Sequence, residues 1–345
     1  MQKLARGARL ALIGLALGAQ APSAQAQDAA AFFKGRTVNM EIGYSAGGGY
    51  DVYARTIARF LGKHIPGAPT VLPKNMPGAG SLRLANWLYT AAPKDGTEIG
   101  TIGRGIAFDP MLGNRNAQFD AAKFTWLGSA TDEVSVCVAW QGSGITAFDD
   151  LYSKPMTVGG TGGGADTDVF PQILNSVLGT KMKVIAGYPG GNDVNLAMER
   201  GEVQGRCGWS WSSVQSTHKD WIAQKKIVVL VQLALAKHPD LPDVPLVTDL
   251  AKTDEQRRQI LKLIFARQVM GRPYLAPPGV PKERADALRQ AFLDTMQDKE
   301  FLAEADTAQL EIKPVTGPDI EKLVREVYQT PADIAAKAAA VLNPK

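Results

Sequence analysis

The chain has 345 residues, with 38 Lys and Arg against 34 Asp and Glu, two cysteines and three histidines. Nearly balanced charge without any Lys/Arg block argues against nucleic acid as a partner. About 320 residues remain once an N-terminal leader is set aside, more than one core usually serves, so two domains are expected. Residues 1–26 have the layout of that leader. Lys3, Arg6 and Arg9 form a basic region, Leu10 to Ala19 is apolar, and Ala24-Gln25-Ala26 is an A-x-A cleavage signal. Ten apolar residues reach only about 15 Å as a helix, half of a bilayer core, so a cleaved signal peptide is expected rather than an anchor. The mature protein would begin near Gln27 and work in the periplasm. Cleavage would remove three basic residues and no acidic one, which leaves 35 against 34.

After the leader, strands and helices alternate, the pattern of an α/β fold with mostly parallel sheets. Thr37 to Ile42 reads as a strand, followed by a glycine turn and a helix from about Asp51 to Lys63 with Tyr53, Ile57, Phe60 and Leu61 in phase. Thr70 to Asn75 and Glu98 to Gly103 read as further strands, with a helix carrying Leu84, Trp87 and Leu88 between them. From Val134 the cycle restarts: strand, short helix, strand (Met156 to Gly160), helix from Ala165 to Leu178, strand (Met182 to Gly187), helix from Asp193 to Glu199, strand (Glu202 to Cys207). Ile227 to Leu235 is a continuous apolar strand of the doubly buried kind. The proline-rich run from His238 to Pro245 must be a loop. The remainder is helical. Cys137 and Cys207 both lie in strand-like contexts, and the sequence leaves open whether they are bridged or are two buried thiols.

Four glycine-rich turns follow strands: Ser45 to Asp51, Pro77 to Ser81, Gly159 to Gly164 and Tyr188 to Asp193. Glycine lets backbone N–H groups approach a ligand, and a helix N-terminus favours an anion. Ligands of open α/β sheets bind beyond the carboxyl ends of the strands, where these turns lie. Each turn alone could simply be a tight connection, but two in each half point to a carboxylate held between two lobes. No turn has the Lys-Ser/Thr of a phosphate-binding loop, and no dinucleotide spacing is present. Gly208-Trp209-Ser210-Trp211-Ser212 lacks the last glycine of a nucleophile elbow. His64, His218 and His238 have no zinc-site spacing, and neither a metal nor a cofactor is implied.

The run GYSAGGGYDVYARTIARFLGKHI (43–65), the PGAG at 77–80, the LPDVPLV loop (241–247) and LAPPGVPKERADALRQAF (275–292) together resemble the Bug receptors, the extracytoplasmic solute receptors of tripartite tricarboxylate transporters. The resemblance implies a type II periplasmic binding protein fold, with two α/β lobes, each a mostly parallel sheet flanked by helices, and a ligand cleft between them. Residues 28–130 with 266–345 would form the first lobe, and 131–265 an inserted second lobe. It also implies no enzymatic activity, a monomer, and membrane permease subunits as partners. Tyr44, Ala46, Gly47, Gly48, Asp51, Gly78, Ala79 and Gly80 would form the first-lobe half of the site. Four segments depart from the family pattern: Gly43-Tyr44-Ser45, VLPKN (71–75), Asp166-Thr167-Asp168 and GRCGWSWSS (205–213).

From the second lobe, Gly162, Gly163, Thr167, Asp168, Tyr188, Gly190 and Trp209 complete the expected site. Asp51 either caps its helix or orients a water on the ligand. Trp209 and Trp211 are either an aromatic shelf or lobe packing. Arg206 has the fork that suits a carboxylate, but most arginines are solvated, and it is left outside the expected site. The expected function is delivery of a small organic carboxylate (a di- or tricarboxylate or an aromatic acid) to a permease by cleft closure. The alternatives are a secreted α/β hydrolase working through Asp51 or Asp168, or a receptor of the same fold serving an ABC transporter.

Overall fold

The structure is a computed structural model that describes residues 24–251 and 255–342. The basic and apolar parts of the expected signal peptide lie outside the described residues. A helix over Ala24–Phe33, not anticipated from sequence, opens the described chain and buries Ala29 and Phe33 in the first lobe.

Eleven strands are described: β1 (Thr37–Ile42), β2 (Thr70–Asn75), β3 (Glu98–Thr101), β4 (Thr125–Ser129), β5 (Ser135–Trp140), β6 (Met156–Gly160), β7 (Met182–Ala186), β8 (Gly205–Ser210), β9 (Ile227–Leu233), β10 (Pro273–Ala276) and β11 (Val315–Thr316). They form two sheets, ordered β11-β4-β10-β3-β1-β2 and β7-β6-β8-β5-β9. Both follow one plan. The second, first and third strands run parallel, a strand arriving from the other lobe is inserted antiparallel, and the fourth closes against it. The arriving strands are β10 and β5, so strand direction is mostly parallel while pairing is mixed.

Sequence periodicity explains the layers. On the helix Gly49–His64, Tyr53, Ile57 and Leu61 recur every fourth residue and are buried against Val38, Met40 and Ile42 of β1. In the second lobe Trp209, Trp211 and Trp221 pack with Val136, Val138 and Ile227. The helix from the third glycine turn spans Asp166–Ile173 and widens into one π-turn over Leu174–Leu178, so the expected single helix is interrupted. Cys137 of β5 and Cys207 of β8 are joined in a disulfide across neighbouring strands. Closing a loop of that sequence separation, 70, stabilises by about 4 kcal/mol in the chain-entropy model.

Two chain segments cross between the sheets side by side. Ala130 N–H donates to Arg272 O (3.0 Å), Gly271 N–H to Thr131 O (2.9 Å) and Glu133 N–H to Gln268 O (2.8 Å). The last helix, Ala332–Leu342, departs from the expected division. It packs on the helices Asp166–Ile173 and Glu255–Phe265 of the second lobe, because its apolar stripe of Ile334 and Ala338 is buried in the same cluster as Phe170 and Phe265. Among the described residues no helix is long and apolar enough to cross a membrane.

Candidate functional site

The four glycine turns meet in pairs across the cleft. The first turn faces the fourth, where Ser45 Oγ donates to Asp193 Oδ2 at 2.6 Å. The second faces the third, where Gly80 N–H donates to Thr161 O at 2.9 Å. At Gly162 (φ +125°) an added Cβ would lie 2.9 Å from Ala79 Cα and Gly80 N, so the lobes can meet here only through glycine. The structure is thus a closed conformation.

Behind these contacts lies a small cavity of about 50 Å³ lined by Tyr44, Gly48, Gly49, Tyr50, Arg104, Thr161, Asp166, Thr167, Arg206, Ser210 and Ser213 among others. The helices Gly49–His64, Asp166–Ile173 and Gly191–Glu199 all start at this cavity, so three positive helix ends converge on it. Tyr44 stacks on Tyr50 with centroids 4.7 Å apart, and the Tyr44 hydroxyl donates to Gly80 O (3.2 Å). Burial holds the Tyr44 phenol well above its ordinary pKa, so it remains a neutral donor.

Four arginines concentrate around the cavity. Arg104 is 2% exposed; its Nε donates to Asp166 Oδ2 (2.6 Å) and its Nη2 to Ser210 Oγ (2.6 Å), which ties the lobes together. Burial opposes its charge most strongly, but Asp166, Tyr50 and Glu133 together outweigh burial and raise its pKa. Arg267 Nη1 shares Asp166 through Oδ1 (3.2 Å). Arg272 lies 3.4 Å from Glu133 and donates to the hydroxyls of Ser210, Ser212 and Ser213. Arg206 has no carboxylate partner among the described residues. Its Nη1 donates to Gly191 O (3.0 Å) and Asn195 Oδ1 (2.9 Å), and its guanidinium lies over the Trp209 ring at 4.6 Å. Burial, then the charges of Arg272 and Arg104, pull the Arg206 pKa down to about 9. Arg104, Arg267 and Arg272 are thus met by Asp166 and Glu133, with Asp109 also acting on Arg267. Arg206 is the guanidinium of the four without a carboxylate partner among the described residues.

Of the residues expected from sequence, Tyr44, Gly48 and Thr167 line this cavity. Gly78, Ala79, Gly162 and Tyr188 line a shallower groove at the outer edge of the closed lobes, and the Tyr188 hydroxyl reaches Glu202 (3.4 Å). Gly47 lies against the Asn192 amide, Gly80 against Ala165 and Gly190 against Ser45, so these glycines serve the approach of the lobes. Ala46 sits between them on the exposed turn, and Gly163 is exposed with open space around it. Asp51 is engaged within the first lobe, accepting from Gly47 N–H (3.0 Å), Arg55 Nε (2.8 Å) and Asn75 Nδ2 (2.8 Å). It does not line the cavity. Asp168 accepts from Gly162 N–H (3.0 Å) and the Thr167 hydroxyl (2.9 Å) and holds the third turn in shape. Trp209 is 1% exposed and carries Arg206 instead of a ligand.

Sequence reasoning missed Arg104, Asp166, Ser210 and Ser213 and set Arg206 aside. Arg104 had one local signal, its position between Gly103 and Gly105 just beyond a strand end. The cavity serines had none.

Matching sheets, a pair of crossing segments between them and a cleft between the lobes define the fold of the two-lobed periplasmic binding proteins. No family model matches the chain. A UPF0065 protein of the TAR-I ttuE-ttuC' intergenic region of Agrobacterium vitis is 25% identical over 285 residues, 81% of this chain and 77% of that protein. Among solved structures, the periplasmic binding protein BugD overlaps with a TM-score of 0.71 at 20% identity, covering 88% of this chain and 97% of BugD. MatC from Rhodopseudomonas palustris with bound malate gives a TM-score of 0.69 at 17% identity, covering 89% and 99%.

Proposed function

We propose that this chain is a non-enzymatic periplasmic receptor that captures a small organic carboxylate by closing two lobes on it and hands it to a tripartite tricarboxylate-type permease. The observation that carries the reading is the cleft where three helix N-termini and an excess of guanidinium groups converge. Such a cavity stabilises an anion and offers a neutral solute little in return for its own desolvation. The malate held by MatC is a solute of this kind. The first lobe in this reading is residues 28–130 with 266–331, the second 131–265 with the final helix. Cys137–Cys207 fits an oxidising compartment. As a hydrolase the site would be poorly equipped, since Ser210 and Ser213 bond to Arg104 and Arg272, not to an imidazole.

A melting screen tests this. Malate, succinate, adipate and citrate at 100 times their dissociation constants should each stabilise by about 2.7 kcal/mol, a rise of several degrees. A panel in which no acid shifts the transition while glucose or an amino-acid amide does would overturn the reading. A neighbouring pair of genes for one small and one large permease subunit would support the tripartite partner over an ABC transporter.

A further inference from the structure

A single carboxylate seated on helix N-termini needs no arginine, yet this cavity has two lining it. Asp166 answers Arg104 and Arg267, and Glu133 answers Arg272. Arg206 is answered only by a carbonyl and an amide oxygen. The head group of Arg206 is nevertheless built in. Trp209 supports its face, Asn195 fixes its Nη1, and a Cβ on residue 191 would fall 2.1 Å from its Nη2, so Gly191 is what leaves it room. We propose that Arg206 forms a second charged subsite that grips a second anionic group of the ligand directly and makes the receptor select dianions over monoanions of equal length. The proposal rests on the carboxylate-receptor reading above. A buried guanidinium without a counterion is costly, and a ligand oxyanion would supply the missing partner in bidentate geometry. The depressed pKa of Arg206 agrees, since burial and two neighbouring cations cause it. Trp209 thereby acts on the ligand through Arg206, as a positioning residue.

Calorimetric titration with length-matched acids provides the test: succinate against butyrate and adipate against hexanoate, on the wild-type chain and on Arg206→Gln. Wild type should favour one or both dianions by roughly 100-fold, the scale of losing one partner of a buried charge pair. Arg206→Gln should collapse that preference to within about threefold. Without ligand, the variant should melt close to wild type, because the open cleft leaves the Arg206 charge in water. If Arg206→Gln does not fold by circular dichroism, Arg206→Lys serves, and its losses should be confined to the dianions. Equal losses for dianion and monoanion, or none, would overturn the subsite. Wild-type protein that binds carboxylates without preferring two charges would also remove it while leaving the receptor reading intact. Wild-type protein that binds no carboxylate would remove both.

Discussion

His218 stands at the far end of the hydrogen bonds that hold Arg206. Asn195 accepts from Arg206 (2.9 Å), and its amide nitrogen faces His218 Nε2 (3.2 Å), while Thr217 Oγ1 meets His218 Nδ1 (2.7 Å). Burial, and then the charge of Arg206, push the His218 pKa from 6.5 down to about 4. The folded state therefore binds fewer protons than the unfolded chain between these values. The stability this represents is fully present above pH 6.5 and is lost as pH falls through 4. Denaturant unfolding at pH 7, 5.5 and 4 should show His218→Gln losing less stability toward acid than wild type, by about 2–3 kcal/mol. Parallel pH profiles for the two proteins would contradict it. Single residues of this kind were the least legible part of the site. Tyr44, Gly48 and Thr167 were found because they belong to turns with a recognisable form. Arg104 and Arg206 are single arginines on separate strand ends, and only the fold brings them to one cavity.

The glycine turns were legible at the element scale, though most of their work differs from the expected grip on a ligand. Glycine in a turn announces a close approach without saying what approaches, and here it is chiefly the other lobe. Gly162→Ala places a Cβ against Ala79 and Gly80 at a φ that side chains rarely adopt. It should cost about 1–2 kcal/mol in the fold and weaken carboxylate binding at least about tenfold, because the shut state is disfavoured. Gly163→Ala is the control one residue away, with open space around it and no expected effect on binding. Titration of both variants with malate settles the point; equal affinities would show that the lobes do not need this contact. The two sheets were legible from alternating strands and helices. The placement of Ala332–Leu342 was not, because an alanine-rich stripe specifies an apolar neighbour without specifying which lobe supplies it.

For the molecule as a whole, closure is a balance that the cleft can tip. Gly80–Thr161, Ser45–Asp193 and Arg104–Asp166 are interactions of the shut lobes and favour closure. Crowding of four guanidinium groups opposes it, most directly through Arg206, which has no carboxylate partner among the described residues and whose charge closure takes out of water. A dianion removes the opposition while the closing contacts remain, so its affinity for the shut state exceeds its affinity for the open one, and that difference drives the motion. The ligand-free protein should be mostly open, and its apparent affinity should be reduced by the small fraction already shut. Small-angle scattering should show a radius of gyration that falls on saturation with a tight-binding dianion such as malate. Arg104→Ala removes the ties to Asp166 and Ser210 across the cleft, so it should stay expanded at malate concentrations that saturate wild type. Ser45→Ala loses one hydrogen bond at the rim and should weaken binding only a few-fold, the scale of about 1 kcal/mol. Scattering curves that are equally compact with and without malate would show that charge crowding does not hold the lobes apart.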